Sequence, residues 1–280
     1  MKTFYLLVAS VFFTAFSYAD ISDNQKAALL DLYNSTNGSQ WNTSWDLNQS
    51  VSTWKGVTVE NNQVVSVKLA FNNLKGTIPS SINDIQSLQI LDLSFNKIKG
   101  QLPETILDLK NLEVLKLFSN QIEGELPKNI GVMTNLKVLE IYNNNFNGEI
   151  PSSIGDLKNL ENLSLSSNQF TGKLPYTVTN LSKLKVLSVF DNSFFGFIPT
   201  SIGALTNLEE LILSNNSFYG ELPSSIAKLD KLNTLLLGNN SFTGNFAKLQ
   251  EQMPNITTID IDANNRKGEL VTLDEVIDDN

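Results

Sequence analysis

The sequence predicts an α/β solenoid, a fold that is built by stacking short repeats of one length. A 24-residue unit begins at Val64 and recurs without insertion or deletion until close to the end of the chain. An asparagine occupies the ninth place, and a glycine the thirteenth place, of all nine units. A single repeat of this length cannot bury its own apolar face, so the fixed period indicates one continuous core shared by stacked neighbours.

The places within a repeat have separate roles, which the fullest copy, LKVLEIYNNNFNGEIPSSIGDLKN from Leu136 to Asn159, shows best. Its first residue defines place 1. Apolar places 4 and 6 alternate with outward residues as in a short strand, and successive strands stack in parallel at about 4.8 Å. The place-9 asparagine is expected to satisfy backbone groups of adjoining turns, and the place-13 glycine to permit a conformation that a Cβ forbids. Place 16 is proline in most copies, which fixes φ on the far side. Place 11 is expected to form an inward apolar column: Leu74, Ile98, Ile122, Phe146, Phe170, Phe194, Phe218 and Phe242.

The chain divides into four predicted segments. Residues 1–19 have the pattern of a cleaved secretory signal, with Lys2, an apolar run and a small-residue cleavage site. A membrane anchor is the alternative, but the run is shorter than the roughly 20 residues that a spanning helix needs. Residues 20–63 are expected to form an N-terminal cap, 64–270 the repeat array and 271–280 an acidic tail. We therefore expect a secreted or cell-surface protein with no membrane span.

The cap has its own pattern. Ser22 to Asn37 predicts a short amphipathic helix, in which Ser22 and Gln25 form a capping box. Residues 57–59 and 64–69 predict a hairpin that leads into the array. Three large aromatic residues are expected to cover the open end of the core, with a sugar-binding platform as the alternative. They are Trp41, Trp45 and Trp54.

The form LxxLxLxxNxLxGxIPxxIGxLxx resembles the plant type of extracellular leucine-rich repeat, as in polygalacturonase-inhibiting proteins and receptor-kinase ectodomains. The resemblance covers roughly residues 64–270. It implies a right-handed leucine-rich repeat superhelix with a parallel β-sheet on the concave face, nine repeats and a helical N-terminal cap. Plant members staple their caps with disulfides, whereas this chain has no cysteine and carries Thr58 and Val59 where a cysteine is expected. Such cysteine-free caps resemble those of secreted bacterial and protist members. The scaffold serves many unrelated partners, so the resemblance identifies the fold and not the ligand.

The composition excludes most catalytic classes. The chain has no histidine and no cysteine, which removes histidine-based nucleophilic systems, a histidine general base and the usual zinc ligand sets. The formal net charge of −9 argues against nucleic acid, which binds through lysine and arginine. We therefore expect no enzymatic activity, no cofactor and no metal.

Two acidic arrangements leave alternatives open. Asp92 and Glu140 share place 5 two strands apart, roughly 9.6 Å, which lies at the wide edge of the spacing for an inverting glycosidase. Lys68 and Lys116 alternate with these two carboxylates, so cross-strand ion pairs explain the pattern without catalysis. At the last strand, Asp260 and Asp262 point the same way and could share Ca²⁺, but two ligands are too few and a solvated acidic end is favoured.

The outward strand places contain the candidate binding site. Aromatic residues cluster there over repeats one to six, rimmed by charge, a composition typical of an interface core. The alternative is that strands favour such residues in any case. The predicted binding residues are Phe71, Phe95, Lys116, Phe118, Glu140, Tyr142, Phe190 and Asp191.

The predicted function is recognition of an extracellular protein or peptide, as an enzyme inhibitor, a soluble receptor or an adhesion module, with a glycan as the alternative partner. A second hypothesis is ice binding, which some plant-type members perform and which needs flat serine or threonine ladders. Ser80-Ser81, Ser152-Ser153, Thr200-Ser201 and Ser224-Ser225 suggest such a ladder, interrupted at Glu104, Lys128 and Tyr176. A polysaccharide-binding protein or hydrolase is the distant third. Nine Asn-x-Ser/Thr sequons are glycosylation candidates only if the protein passes through a eukaryotic secretory pathway.

Overall fold

The structure is a computed structural model that describes residues 21–244 and 251–260, and the strand at 271–272. The predicted signal segment lies outside the described residues, as do Asp262 and most of the predicted acidic tail. In the part of the chain that the structure describes, no helix is long and apolar enough to cross a bilayer.

Helix α1, Asp23–Ser35, opens the described chain and packs on the first repeat. The Ser22 Oγ caps it by accepting a hydrogen bond from the Gln25 N–H at 3.4 Å. The predicted capping box is only half formed, because Gln25 Oε1 accepts from the Val64 N–H at 2.8 Å instead of returning to Ser22. Gln25 is buried, and its amide therefore ties the helix to the start of the array.

The three tryptophans close the N-terminal end of the core. All three are at most 5% exposed, and the rings of Trp45 and Trp54 stack with centroids 4.6 Å apart. Each indole N–H donates to a backbone carbonyl at 3.0 Å, on Thr36, Lys55 and Asp46 in turn. As buried rings they seal the core and offer no platform for a sugar, so that alternative is wrong.

The strands alternate between two ladders. In chain order they are β1 (Val57–Glu60), β2 (Gln63–Lys68), β3 (Lys75–Gly76), β4 (Ile90–Asp92), β5 (Lys97–Gln101), β6 (Val114–Lys116), β7 (Gln121–Glu125), β8 (Val138–Glu140), β9 (Asn145–Gly148), β10 (Asn162–Ser164), β11 (Gln169–Gly172), β12 (Val186–Ser188), β13 (Ser193–Gly196), β14 (Glu210–Ile212), β15 (Ser217–Glu221), β16 (Thr234–Leu236), β17 (Ser241–Thr243), β18 (Thr258–Asp260) and β19 (Val271–Thr272).

The first ladder is the predicted concave sheet. Nine parallel strands, β2 and the even-numbered strands to β18, pair so that equal places meet, as Leu115 does with Leu139. An antiparallel strand closes each end, β1 against β2 and β19 against β18. The β1–β2 turn places Asn61 and Asn62 at φ 49° and 60°, the conformation of a tight hairpin turn. The predicted α/β solenoid and its parallel sheet are therefore confirmed.

The second ladder was not predicted. Eight short parallel strands, the odd-numbered strands from β3 to β17, run beside the first sheet at places 10 to 14. The place-13 glycine ends four of the eight strands and has positive φ, as at Gly148 with φ 75°, where an L-side chain is strained. A Cβ there would also lie 2.8 Å from Glu125 Cγ. The glycine column therefore permits both the turn and the close approach of the preceding repeat.

The far side of each coil consists of short 3₁₀ turns. Prolines begin most of them, with φ near −60° to −75°, which suits the ring of proline. In the described coils the 3₁₀ helices are Ser80–Asp84, Glu104–Asp108, Ile130–Val132, Ser152–Asp156, Tyr176–Asn180, Ile202–Ala204 and Ser224–Lys228, and the cap contains two more, Gly38–Gln40 and Val51–Thr53.

The core contains the two predicted columns. Phe146, Phe170, Phe194 and Phe218 are fully buried and stack with centroids 6.1 Å apart. Beside them runs the asparagine ladder. Asn144 Nδ2 donates to the carbonyls of Leu117, Ile141 and Tyr142 at 3.0 to 3.3 Å. Its Oδ1 accepts from the Ile122 N–H at 2.9 Å. The pattern recurs from Asn96 to Asn240 and fixes one coil to the next.

Candidate binding surface

Four aromatic rings form one continuous stack along the concave sheet. Phe71 and Phe95 lie face to face with centroids 3.9 Å apart, and Phe95 meets Phe118 edge-on at 5.0 Å. Phe118 then stacks on Tyr142 at 4.3 Å. We call Phe71, Phe95, Phe118 and Tyr142 the aromatic column. It crosses four consecutive repeats and leaves ring surface open to solvent.

Phe71 and Phe95 occupy a backbone position that does not suit them. Their φ angles are 57° and 53°, and a bulky residue at positive φ is a genuine outlier. The same place in later repeats also has φ from 50° to 56° but holds small or polar residues: Ser119, Asn143, Ser167, Asp191, Asn215 and Asn239. Phe71 is 65% exposed and Phe95 is 41% exposed. The stack between the two rings contributes about 0.5–1.5 kcal/mol, no more than the roughly 1–3 kcal/mol that such a backbone conformation costs, so stability alone does not explain these two side chains.

The predicted site divides in two. Phe118 and Tyr142 are half-buried neighbours, whereas Phe190 lies two repeats beyond Tyr142 with Ser166 at the intervening place. Ser166 Oγ hydrogen-bonds with Ser188 Oγ at 2.6 Å, which forms a polar break. Phe190 is half-buried beside the exposed Asp191, and the ring contacts of the aromatic column end at Tyr142 within the described residues.

One predicted cross-strand ion pair forms next to the column. Lys116 Nζ lies 2.9 Å from Glu140 Oε2, and the Glu140 side chain is 14% exposed. Glu140 Oε1 also accepts from Asn162 Nδ2 at 2.9 Å. Asp92 does not continue the ladder as predicted, because its Oδ1 accepts from the N–H and Oγ of Ser94 at 3.1 and 2.7 Å. Local bonds of this kind compete well with a flexible lysine.

These contacts give the two carboxylates structural roles. Glu140 is held by Lys116 and Asn162, and Asp92 turns along its own strand, so neither is presented to a shared substrate atom. The pKa of the Tyr142 phenol is raised above its ordinary value, first by burial and then by the Glu140 charge. Among the described residues, no group of three or more acidic side chains could hold a metal ion.

Two surface features were missed by sequence reasoning. Exposed place-2 residues form ion pairs along the sheet margin, with Lys137–Glu113 and Lys185–Glu161 both at 2.7 Å. The second sheet also carries an aromatic cluster of Phe195, Phe197 and Tyr219, which are 41%, 61% and 41% exposed. The signal was present, since aromatic residues interrupt polar columns at places 12 and 14.

The serine and threonine ladder on the far side is bonded internally. At place 18, Ser81 bonds to Asp31 Oδ2 and Ser201 bonds with Thr179 Oγ1, both at 2.8 Å. The other place-18 hydroxyls of the described residues donate to the place-17 carbonyl of the preceding repeat, as Thr105 does to Ser80 and Ser225 to Thr200, at 2.8 and 2.6 Å. Thr177 and Ser153 repeat the pattern. Tyr176, 74% exposed, interrupts the outer place-17 column.

Known protein families match the same repeats. A leucine-rich repeat profile matches residues 62–122, and a second one matches 135–157, 159–181 and 207–229. The solved BIR3–SERK2 complex of Arabidopsis thaliana is 30% identical with a TM-score of 0.51, covering 59% of this chain and 92% of that chain. The chain belongs to the leucine-rich repeat family. Its 24-residue repeats are of the plant type, and its structural neighbours include ligand-binding receptor ectodomains.

Other relatives of this leucine-rich repeat protein are larger. A probable leucine-rich repeat receptor-like protein kinase of Arabidopsis thaliana is 38% identical over 31% of this chain and 9% of its own length. The Arabidopsis receptor kinase HAESA, in complex with the peptide hormone IDA and the co-receptor SERK1, is 31% identical with a TM-score of 0.78. That match covers 85% of this chain and 41% of HAESA. The chain thus spans less than half of either receptor.

A third neighbour has a different role. A plant ice-binding protein is 25% identical with a TM-score of 0.62, over 80% of this chain and 88% of that chain. The same scaffold therefore occurs in proteins that bind peptides and in one that binds ice.

Proposed function

We propose that this leucine-rich repeat protein is a non-enzymatic recognition protein, secreted or displayed at the cell surface, which binds a protein or peptide on the aromatic column. The observation that carries the proposal is the pair Phe71 and Phe95, exposed and held at positive φ. Exposed aromatic residues in a backbone conformation that costs free energy are typical of binding anchors. The peptide-bound receptor HAESA supports a polypeptide ligand by analogy.

The column has the physical properties of an interface centre. Its rings stack on one another, so they lose little side-chain freedom when a partner covers them. Lys116 and Glu140 lie beside Tyr142 as a pair 2.9 Å apart, which supplies a fixed polar feature for orientation. Phe190 and Asp191 form a smaller second contact two repeats away, within reach of a partner that spans the concave face.

The test replaces column residues with those that other repeats place at the same position. Phe71→Asn and Phe95→Asn copy the place-8 asparagines, while Phe118→Ser and Tyr142→Ser copy the place-7 serines. Immobilised wild-type and fourfold-variant proteins would be incubated with extracellular extracts, and bound proteins quantified by mass spectrometry. We expect the variant to lose about tenfold or more of a specific partner.

The control for this test is Tyr176→Ser, which removes an exposed aromatic residue from the far side and copies the place-17 serines. It should capture the partner as the wild-type protein does. Asparagine relieves the backbone strain at residues 71 and 95, but its introduction also removes the ring stack. Because these effects oppose each other, Phe71→Asn and Phe95→Asn should each alter the unfolding free energy by no more than about 1 kcal/mol. Equal capture by the wild-type protein and the folded fourfold variant would overturn the proposal.

Ice binding is the second candidate, and the structural likeness to a plant ice-binding protein favours it. The internally bonded place-18 hydroxyls and the exposed Tyr176 make the far side less regular than a flat ladder. Thermal hysteresis and ice recrystallisation assays on the wild-type protein decide between the two. Activity that the fourfold column variant retains would favour ice binding on another face.

A further inference from the structure

The aromatic cluster on the second sheet lies away from the concave face. Phe195 and Phe197 are on β13 and just after it, and Tyr219 is on β15 in the next repeat. The Phe197 and Tyr219 rings meet at 4.7 Å with their planes 70° apart. The Phe197 ring also lies directly over the backbone of Gly220. Phe197 and Tyr219 therefore hold each other in place, and Phe195 occupies place 12 in the repeat before Tyr219, although each residue is at least 41% exposed.

The cluster departs from a polar pattern. Place 12 holds Asn147, Thr171 and Thr243 in other repeats, where this cluster has Phe195 and Tyr219. Place 14 holds charged residues such as Glu149 and Lys173 in the two preceding repeats, where the cluster has Phe197. The core does not require these rings, because the polar versions form the same strands elsewhere in the ladder. Their grouping in two adjacent repeats points to contact with a partner.

A groove leads away from the cluster toward the N-terminal repeats. Phe195 lines a cavity of about 600 Å³ together with Ile150, Pro151 and Pro175. A neighbouring cavity of about 880 Å³ continues it and shares Glu125, Leu126 and Lys128 with the first. The continuous groove crosses repeats two to six. At about 4.8 Å per repeat it is roughly 19 Å long, the length of about six extended residues.

The groove is acidic. Four exposed carboxylates line it against two lysines, Lys128 and Lys173. The carboxylates are Glu104, Glu123, Glu125 and Glu149. Their charge repels phosphate, sulfate and acidic chains and favours cationic groups.

We infer that this groove binds an extended basic polypeptide segment whose aromatic or large aliphatic side chain docks on Phe195, Phe197 and Tyr219. The four glutamates pair with lysine or arginine side chains along the segment. A glycan fits less well, since the planes of Phe197 and Tyr219 are 70° apart and do not present a coplanar platform for sugar rings. This surface acts independently of the aromatic column on the concave sheet.

The test uses defined peptides and fluorescence anisotropy. The probe is a fluorescein-labelled peptide, Gly-Lys-Ser-Lys-Ser-Lys-Ser-Phe, and its controls replace every lysine with glutamate or the phenylalanine with serine. We expect the probe to bind the wild-type protein, and to bind several-fold more weakly at about 300 mM than at about 50 mM NaCl. Cellohexaose, laminarihexaose and chitohexaose should not compete.

Matched variants locate the site. Phe195→Thr with Tyr219→Thr copies the place-12 threonines and should weaken probe binding about tenfold. Glu125→Gln with Glu149→Gln should weaken it at low salt and reduce its salt dependence. Phe118→Ser, on the concave sheet, should leave it unchanged. Circular dichroism checks that each variant is folded.

The inference is overturned if the wild-type protein does not bind the basic probe or binds the acidic control equally well. It is also overturned if an oligosaccharide competes, or if folded groove variants bind like the wild-type protein. Loss of probe binding in Phe118→Ser would move the site to the concave sheet and equally overturn it. Loss of partner capture by the column variant, with probe binding intact, would support the proposed function and would leave the groove inference unaffected. The proposed function and the groove inference can therefore fail separately.

Discussion

Replacing Asn144 with alanine tests how the asparagine ladder stabilises the coil. The side chain is buried, and its Oδ1 is the acceptor for the Ile122 N–H at 2.9 Å. Its Nδ2 serves carbonyls that each have another donor. The Leu117 carbonyl also accepts from Asn120, the Ile141 carbonyl from Asn168 and the Tyr142 carbonyl from the Ser119 N–H. The substitution therefore orphans one buried donor and leaves every carbonyl with a partner.

The magnitude follows from that count. A buried N–H that loses its acceptor costs about 1–3 kcal/mol. Three carbonyls that accepted two hydrogen bonds each keep one, and this loss adds roughly 1 kcal/mol in total. We expect Asn144→Ala to lower the free energy of unfolding by about 2–4 kcal/mol. The control Asn145→Ala changes the exposed next residue and should cost less than about 0.5 kcal/mol.

Two measurements check this expectation. Urea unfolding is followed by far-ultraviolet circular dichroism and by fluorescence of the cap tryptophans, because coincident curves are needed before a single free energy is quoted for a repeat array. Hydrogen exchange of the Ile122 amide should lose its protection selectively in Asn144→Ala. A cost no larger than that of Asn145→Ala, or an Ile122 amide that stays protected, would refute the reasoning.

A third variant separates donor from acceptor. Asn144→Asp keeps an oxygen for the Ile122 N–H but points a carboxylate at three carbonyl oxygens, so above its pKa it should cost more than alanine. Burial raises the folded-state pKa of such a carboxyl. Its destabilisation is therefore absent below the unfolded-state pKa and appears as pH rises through the folded-state pKa. A pH-independent cost would contradict this account.

Two further predictions concern other columns. Phe194 lies in the buried stack, so Phe194→Ala should lower the free energy of unfolding, measured by urea titration, by about 3–5 kcal/mol. Phe194→Leu, which copies Leu74, should lower it by much less. Equal costs for the two variants would contradict the stacked core. The pKa of the Tyr142 phenol is raised in the folded protein. The neutral phenol therefore contributes stability that is present below the ordinary tyrosine pKa of 10.0 and is lost as pH rises through the folded-state pKa. In an absorbance titration at alkaline pH, Glu140→Gln should lower the pKa of Tyr142; an unchanged titration would exclude the charge contribution.

The period predicted which side of the coil each residue occupies. Phe146 and its equivalents had to point inward, since a column that repeats at one place shares one environment throughout the array. For the same reason, the neighbours Phe118 and Tyr142 were expected together on the concave sheet, and the structure stacks them. The place-9 asparagines were predictable as backbone ligands because a buried turn must satisfy its polar groups.

Choices among competing nearby partners were not predictable. Gln25 bonds to the Val64 N–H and not to its own helix cap, and Asp92 bonds to Ser94 and not to Lys116. In each case two partners lie within reach, and a difference of about 1 kcal/mol decides between them. The second sheet was missed for another reason. Its strands contain one inward apolar column, at place 11, between the place-9 asparagines and the place-13 glycines, and asparagine and glycine are typical of turns.

The equal spacing of the coils also bears on how such a protein changes length. Because equal places pair across every interface of the concave sheet, as Leu163 pairs with Leu139 and with Leu187, a cut after any place in one unit can be joined to the same place in another. Unequal recombination between gene segments that encode two units would then yield a shorter or longer chain whose junction packs like its neighbours. The outer surface can thus be lengthened or reshuffled in whole units while the interior stays the same.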